Sequence, residues 1–425
     1  MLLIILFWIF IIISVINTIH FALYLVGANY YDILSFRNKS LFNKLKIGKK
    51  PLVSVLIPAH NEQMSIVRSL DSVRGSSYRK LEIVVIDDAS TDNTKQLVRA
   101  YIKKHPKANI KLMFKRKNGG KAAAMNHALR HGVHGEFVMT LDADSLIHKD
   151  SIKNAVEYFK DETVVGVAAN VRVLDSNTVL GLLQKFEYMV GYRSKKFFTV
   201  TNSEFIVGGV ASTYRMSVLK KVGFYDDDIM TEDIALSLKI VAQGNKANRI
   251  VYGVNVLALT EGVLTFKALL RQRYRWKMGN LQSILKYRHL FGDRSGNYTK
   301  MLTWYRIPMA FIGEFLLLLE PLALIYVIIL CIQLSSLSFV IGAYITITIY
   351  LLWNILPDEH MDFRKKLRMS FYAPIMYFIM YIMNIVQIVA IVRCLINYPQ
   401  VLRKVKTSSN WKSPERNGQQ QVTFS

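Results

Sequence analysis

Apolar positions fall into two blocks on either side of a mixed, charged region. Residues 2–26 are almost continuously apolar, and apolar runs return at about 308–334, 336–356 and 370–396. At roughly 1.5 Å per helical residue, runs of this length can cross a hydrocarbon core of about 30 Å. Between the blocks, residues 51–250 alternate two periodicities. Leu52–Pro58 predicts a buried strand, Ile66–Val73 a helix, Leu81–Asp87 a strand and Thr94–Lys104 a helix. Lys111–Lys115 predicts a third strand, Lys121–Gly132 a helix and Glu136–Asp142 a fourth strand. Strands alternating with helices imply a mainly parallel α/β sheet, whose ligands sit beyond the carboxyl ends of its strands. Asp87, Asp88, Asp142 and Asp144 all fall at such ends.

The pattern divides the chain into a transmembrane anchor (1–30), a basic juxtamembrane linker (31–50), an α/β domain (51–260), interfacial helices (261–300), a C-terminal transmembrane region (301–400) and a polar tail (401–425). The first apolar run has no basic segment before it and no clear small-residue cleavage site after it, so it reads as an anchor. Arg37, Lys39, Lys44, Lys46, Lys49 and Lys50 follow it and, by the positive-inside tendency, place the next domain in the cytoplasm. The run at 308–334 carries Glu314 and Glu320. Intramembrane acids face a protein interior or a wet path; alternatively, the first half of this run lies flat in the interface. If all three C-terminal runs crossed, the domain and the tail would lie on opposite faces. Arg403, Lys404, Lys406, Lys412 and Arg416 argue instead for a cytoplasmic tail, so one run is expected to be re-entrant or interfacial.

Charge and cysteine content narrow the function. The net charge is +25 over 425 residues. Topogenic Lys and Arg explain most of it, and attraction to anionic head groups or a polyphosphate donor is the second reading. The basic residues are dispersed and no nucleic-acid motif accompanies them, so no nucleic-acid partner is expected. Cys331 and Cys394 both lie in apolar runs and support neither a disulfide framework nor a Cys-based metal site.

Asp142-Ala143-Asp144 ends an apolar strand. Paired hard oxygen ligands suit Mg2+ or Mn2+ and leave coordination sites for a diphosphate. Asp87-Asp88 ends another strand, and the acceptor-only Asp88 carboxylate suits a uracil or ribose. The ASTDNT that follows is rich in helix-capping residues, which account for Asp92 and Thr94. In Thr231-Glu232-Asp233, an Asp can serve as general base, although Thr231 as N-cap with acids in the first turn is the plainer reading. Asn118-Gly119-Gly120-Lys121 offers close backbone approach, a helix start and a cation for phosphate, or simply a capped surface helix. Gln272, Arg275 and Trp276, at i, i+3 and i+4, share one helical face: an amide, a guanidinium for phosphate and an indole for a pyranose. An interfacial helix would also use Trp and Arg. Phe205–Ala211 holds the turn Gly208-Gly209, where a ligand can approach the backbone.

Together and in this order, PAHNE (58–62), IDDASTDNT (86–94), NGGKAAAMN (118–126), LDADS (141–145), TED (231–233) and QRYRW (272–276) resemble the processive family 2 glycosyltransferases over roughly residues 50–290. Within that group the likeness is to bacterial poly-β-1,6-N-acetyl-D-glucosamine synthases, through MTEDIALSLKI, the Q-x-x-R-W region, the short C-terminal membrane part and NWKSPERNG. The resemblance implies an α/β GT-A-like fold, a Rossmann-type mixed sheet, combined with transmembrane and interfacial helices. It assigns Asp88 to the uridine of a UDP-sugar, Lys121 to the donor diphosphate or nucleotide, and Asp142 and Asp144 to donor and metal. Asp233 is implied as general base. Gly208, Gly209, Glu232, Gln272, Arg275 and Trp276 are assigned to the diphosphate and the acceptor end of the polymer. Ala89 stands where relatives commonly have Gly. No cyclic-di-GMP-binding domain is visible.

The implied reaction is an inverting transfer of N-acetylglucosamine from UDP-N-acetylglucosamine to a growing polysaccharide. It would take place at the inner face of the plasma membrane, in a multi-pass protein contacting membrane lipid. Export of the chain is expected to involve the C-terminal helices, with a small auxiliary membrane subunit to make up the shortage of full spans. The alternatives are a hyaluronan-, chitin- or cellulose-type synthase, a non-processive transferase acting on a lipid phosphate, and a non-catalytic transporter or scaffold, which the retained acids disfavour.

Overall fold

The computed structural model describes residues 1–42, 50–174 and 178–399. The first half of the chain runs α1 (Leu2–Phe42), β1 (Val53–Ala59), α2 (Ile66–Arg74), β2 (Leu81–Asp88), α3 (Thr94–Lys104), β3 (Ile110–Lys115), α4 (Gly120–His131), β4 (Phe137–Thr140), β5 (Leu146–Ile147), α5 (Ser151–Tyr158) and β6 (Val164–Val173). It continues through α6 (Val179–Val200), β7 (Ser212–Arg215), α7 (Met216–Val222), α8 (Glu232–Val241), β8 (Arg249–Thr260), α9 (Phe266–Lys286), α10 (Ile307–Leu316), α11 (Glu320–Gln333), α12 (Ser338–Ile355) and α13 (Phe363–Ile396). Met301–Arg306, before α10, is wound as a wide π-type helix.

Eight strands form one sheet in the order β3-β2-β1-β4-β7-β6-β8-β5. β1 to β4 are mutually parallel, as their alternation with helices predicts. β7 runs antiparallel to β4 and β6, so the sheet is mixed. β1 is buried along its whole length because both of its faces are covered. Val53, Val55, Ile57 and Ala59 pack with Ile66, Leu70 and Val98, on the side of α2 and α3. Leu56 packs with Val84, Ile86, Met125 and Leu129, on the side of α4. This period of two is what a near-continuous Val/Ile run produces in a doubly covered sheet. Parallel register also brings the ends of β1, β2 and β4 to one edge, which gathers the loops PAHNE, DDAST and DADS.

Among the described residues, three helical stretches are long and apolar enough to cross a membrane: Leu2–Ser35, Met301–Gln333 and Phe378–Ile396. Val340–Ile355 is a shorter apolar helix. On α1, Leu2, Ile4, Trp8, Ile12 and Val15 are more than half exposed, an arrangement suited to lipid and not to water. The domain end of α1 is fastened to the sheet: Tyr31 Oη donates to the Tyr252 carbonyl at 2.7 Å and Lys196 pairs with Asp32 at 2.6 Å.

Both membrane acids face protein. Glu314 pairs with Lys277 and accepts from Asn280 Nδ2 at 3.1 Å. Glu320 accepts from Asn384 Nδ2 at 2.9 Å. The last apolar helix, α13, accompanies α9 at both ends. One cluster joins Leu269 to Met369, Ala373 and Met376, and another joins Met278 and Leu281 to Ile391 and Cys394. The basic residues Lys44, Lys46 and Lys49, and the tail with its Arg and Lys residues and NWKSPERNG, lie outside the described residues.

Candidate active site at the strand ends

Four of the sequence-predicted residues meet in one place. Lys121, the second residue of α4, extends Nζ to Asp142 Oδ1 at 2.5 Å and to Glu232 Oε1 at 3.2 Å. A Cβ added at Gly209 would lie 2.6 Å from Lys121 Nζ, 3.5 Å from Asp233 Oδ2 and 3.7 Å from Asp142 Oδ1. A side chain at Gly209 would displace the Lys121 ammonium from the acids, so its bare backbone forms one wall of the cluster. Thr140, at the end of β4, fixes that wall by donating to the Gly209 carbonyl at 2.9 Å. Gly208 is exposed, and its carbonyl accepts from Ser212 Oγ.

Burial first, and then the neighbouring Glu232 charge, push the Asp233 carboxyl up to about 6, while Lys121 pulls it down. Asp233 Oδ1 accepts from the Ile234 N–H at 2.9 Å, and Oδ2 faces Gly209. Burial disfavours the Lys121 ammonium, but Asp142, Glu232 and Asp233 outweigh it and raise its pKa. Thr231 does occupy the N-cap position of α8, yet its side chain makes no capping bond. It packs instead where Gly279 of α9 leaves room, so TED is seated by α9.

Asp88 is fully buried, and both its oxygens are engaged. They accept from Lys115 Nζ at 2.7 Å, from the Gly119 N–H at 3.1 Å and from the Gly120 N–H at 2.8 Å. The anion that the NGGK helix start attracts is thus Asp88 itself. Its role here is to clamp the end of β2 to the start of α4, one residue before Lys121. His60 Nδ1 donates to the Asp88 carbonyl at 2.9 Å and Nε2 accepts from Asn118 at 3.2 Å, which ties PAHNE into the same clamp. Asn61 accepts from the Thr91 N–H, and Asp92 accepts from the Gln63 N–H. Ala89 has φ 59°, in the left-handed region that favours glycine, which gives the Ala-for-Gly departure a backbone cost.

Asp144 is 5% exposed and accepts from Ser145 Oγ at 2.7 Å. With Asp142 it presents hard oxygens at the end of β4. Among the described residues no group of three or more His, Cys, Asp or Glu side chains forms a metal cage. Two adjacent carboxylates, one of them part-exposed, fit an ion that completes its shell with substrate phosphates.

On α9 the structure separates the three predicted residues by exposure. Arg275 is exposed, whereas Gln272 and Trp276 are partly buried. The buried cation of this helix is Arg273, which pairs with Glu187 of α6. Sequence reasoning missed Glu187, its neighbour Tyr188 and Tyr225. Burial, with contributions from Glu187, Asp144 and Asp142 and against Arg273, pushes the Tyr188 phenol up to about 12. Tyr225 is buried beside Glu232, Asp233 and Asp142. α6 also carries Lys185, Arg193, Lys195 and Lys196, so no local signal singled out Glu187. A cavity of about 900 Å3 borders this site through Tyr188, but none of Asp142, Asp144, Glu232 and Asp233 lines it.

Residues 54–223 match the family model for glycosyl transferase family 2. The poly-beta-1,6-N-acetyl-D-glucosamine synthase of Staphylococcus epidermidis (strain RP62A) is 32% identical over 270 residues, 62% of this chain and 63% of that protein. The synthase of the same name from Staphylococcus aureus (strain COL) is 30% identical over 268 residues, again 62% and 63%. The match spans just under two thirds of these relatives' length. A solved mannosyltransferase from Pyrobaculum calidifontis, in complex with GDP-Man and Mn2+, has a similar fold at 22% identity, with TM-score 0.60 over 92% of this chain and 99% of that one. The fold is the GT-A-like mixed sheet that the motifs imply.

Replacing Lys121 tests the electrostatic reading of the cluster. Lys121→Met should leave Asp142, Glu232 and Asp233 repelling one another and lower stability by roughly 1–3 kcal/mol at pH 8. Because the Asp233 carboxyl already titrates high, protonation relieves the repulsion as pH falls, so the deficit should shrink at pH 5. Thermal unfolding in detergent at the two pH values measures this; an equal deficit at both would count against it.

Proposed function

We propose that the chain is a family 2 glycosyltransferase, whose family model residues 54–223 match, and that it acts as a membrane-embedded hexosyltransferase. It polymerises N-acetylglucosamine from UDP-N-acetylglucosamine into a β-1,6-linked polysaccharide at the cytoplasmic face of the plasma membrane. The observation that carries the reading is the convergence of Lys121, Asp142, Glu232 and Asp233 around Gly209. The names of the staphylococcal relatives supply the sugar and the linkage.

In the proposed mechanism Asp233 Oδ2 accepts the proton of the acceptor hydroxyl as its oxygen attacks the anomeric carbon, with inversion. A carboxyl raised to about 6 is a stronger base than an ordinary aspartate and is still ionised at neutral pH. Lys121 stands at the diphosphate and keeps the acids from repelling one another. Asp142 and Asp144 hold Mg2+ or Mn2+, and the solved mannosyltransferase with Mn2+ supports a divalent ion. When bound, the ion offsets charge on the leaving diphosphate. Arg275, exposed on α9, is available to the same charge, and Gln272 and Trp276 seat the acceptor end. Asp88 serves the uridine through the clamp it holds on the NGGK loop.

The helix contacts also support a topology. Arg172 of β6 holds Asp358 by two bonds of 2.8 Å, so the segment between α12 and α13 lies on the side of the domain. α1, Met301–Gln333 and α12 are then the crossings, and α13 is the interfacial segment beside α9. This returns the basic residues after 400 to the cytoplasmic face. Polymer export, with or without a small auxiliary subunit, belongs to the same proposal.

Membranes given UDP-N-acetylglucosamine as sole donor should form a polymer that a β-1,6-specific hydrolase degrades. Failure with this donor and success with another UDP-sugar would replace the substrate. Asp233→Asn should lower the rate by roughly 10²–10⁴ while UDP still binds. The wild-type rate should rise with pH through about 6, as the base loses its proton, and then level off. A profile flat from pH 5 to 8 would remove Asp233 as the base.

A further inference from the structure

α9 carries a second arginine that the proposed chemistry leaves unused. Arg273 is 2% exposed. A buried charge is retained at considerable desolvation cost, so what holds it is informative. Its guanidinium pairs with Glu187 of α6, and Nη1 donates to Gln272 Oε1 at 3.2 Å. The same guanidinium lies 4.1 Å from the centre of the Trp276 ring. Burial pushes the Glu187 carboxyl up, while Arg273 and Lys277 pull it back toward the charged form. Tyr188, the next residue on α6, feels Arg273 as well as Asp144 and Asp142. Arg273 therefore links Glu187 of α6 to the Trp276 indole of α9. Among the described residues Arg273 Nε has no hydrogen-bond partner, which leaves Glu187, Gln272 and the ring to fix the group.

We infer that Arg273, locked by Glu187, is a positioning residue that sets the plane of Trp276 for the acceptor sugar. The inference rests on the reading of Trp276 as the acceptor's seat. A planar guanidinium stacked on one face of an indole fixes its tilt and leaves the other face for the C–H side of a pyranose. Its ion pair carries that fixation to α6. A lysine at 273 would keep the charge but not the flat stacking surface.

The test uses the full chain in detergent with UDP-N-acetylglucosamine and a short β-1,6-linked N-acetylglucosamine oligomer. Arg273→Lys should raise the KM for the oligomer about five- to tenfold, the factor one cation–π contact contributes. The KM for the donor should stay within about twofold, because donor contacts are untouched. In a Trp276→Phe background the same change should have a much smaller effect, since residues acting through one contact are not additive. An unaltered oligomer KM, an equal rise in donor KM or fully additive effects would each overturn the inference. Should Arg273→Lys not fold, Glu187→Asp keeps the charge but shortens the reach. A rise in its oligomer KM alone supports the inference, and an unaltered oligomer KM or an equal rise in donor KM overturns it. Oligomer binding followed by tryptophan fluorescence separates the two levels of failure. A wild-type chain that transfers no sugar defeats the functional reading, whereas Arg273→Lys binding the oligomer as tightly as wild type defeats this inference.

Discussion

Three carboxylates crowded at one sheet edge repel, and the Lys121 ammonium is the cation that lets Asp142, Glu232 and Asp233 share that edge. Everything nearby serves to deliver this one side chain. The start of α4 must sit where Lys121 can reach across to β4 and α8, and Asp88 sets that position by accepting from two backbone N–H groups of the NGGK turn. Gly209 leaves Lys121 Nζ its place, because a side chain there would push the ammonium aside. Electrostatics thus fixes the loop geometry, and the loop geometry sets the pKa of the residue proposed as base.

The same logic extends outward through helices. α9 seats TED by presenting Gly279 to Thr231, and it brings Gln272, Arg273, Arg275 and Trp276 past α6. α13 lies along α9, and Glu314 of α10 pairs with Lys277 of α9. The apolar C-terminal helices are therefore joined to the helix that carries the residues proposed for the acceptor.

Much of this was legible in the sequence, for physical reasons. Periodicity located β1 to β4 within a residue or two, and most plainly β1 and β2, because doubly covered parallel strands are Val/Ile-rich. It did not reveal β7 running antiparallel, since pairing direction leaves no mark on a four-residue strand. The acids at strand ends were visible as motifs, but their partners were not. Asp88 reads as a ligand group, and its protein donors are not visible beside it, because Lys115 and Gly119 lie about thirty residues away. Glu187 and Arg273 were passed over because nothing local distinguishes a buried ion pair from two surface charges. The third C-terminal apolar run reads as a span, and its packing along α9 leaves no local mark in the sequence.

The central claim is that one sugar nucleotide binds where Lys121 gathers the acids. The most direct measurement is a structure of the full-length Asp233→Asn chain with UDP-N-acetylglucosamine and Mn2+. The account predicts the diphosphate within hydrogen-bonding reach of Lys121 and beside Asp142 and Asp144, with the anomeric carbon facing residue 233. A donor bound away from Lys121, for example in the cavity of about 900 Å3 lined by Arg172, Lys185 and Arg368, would contradict it.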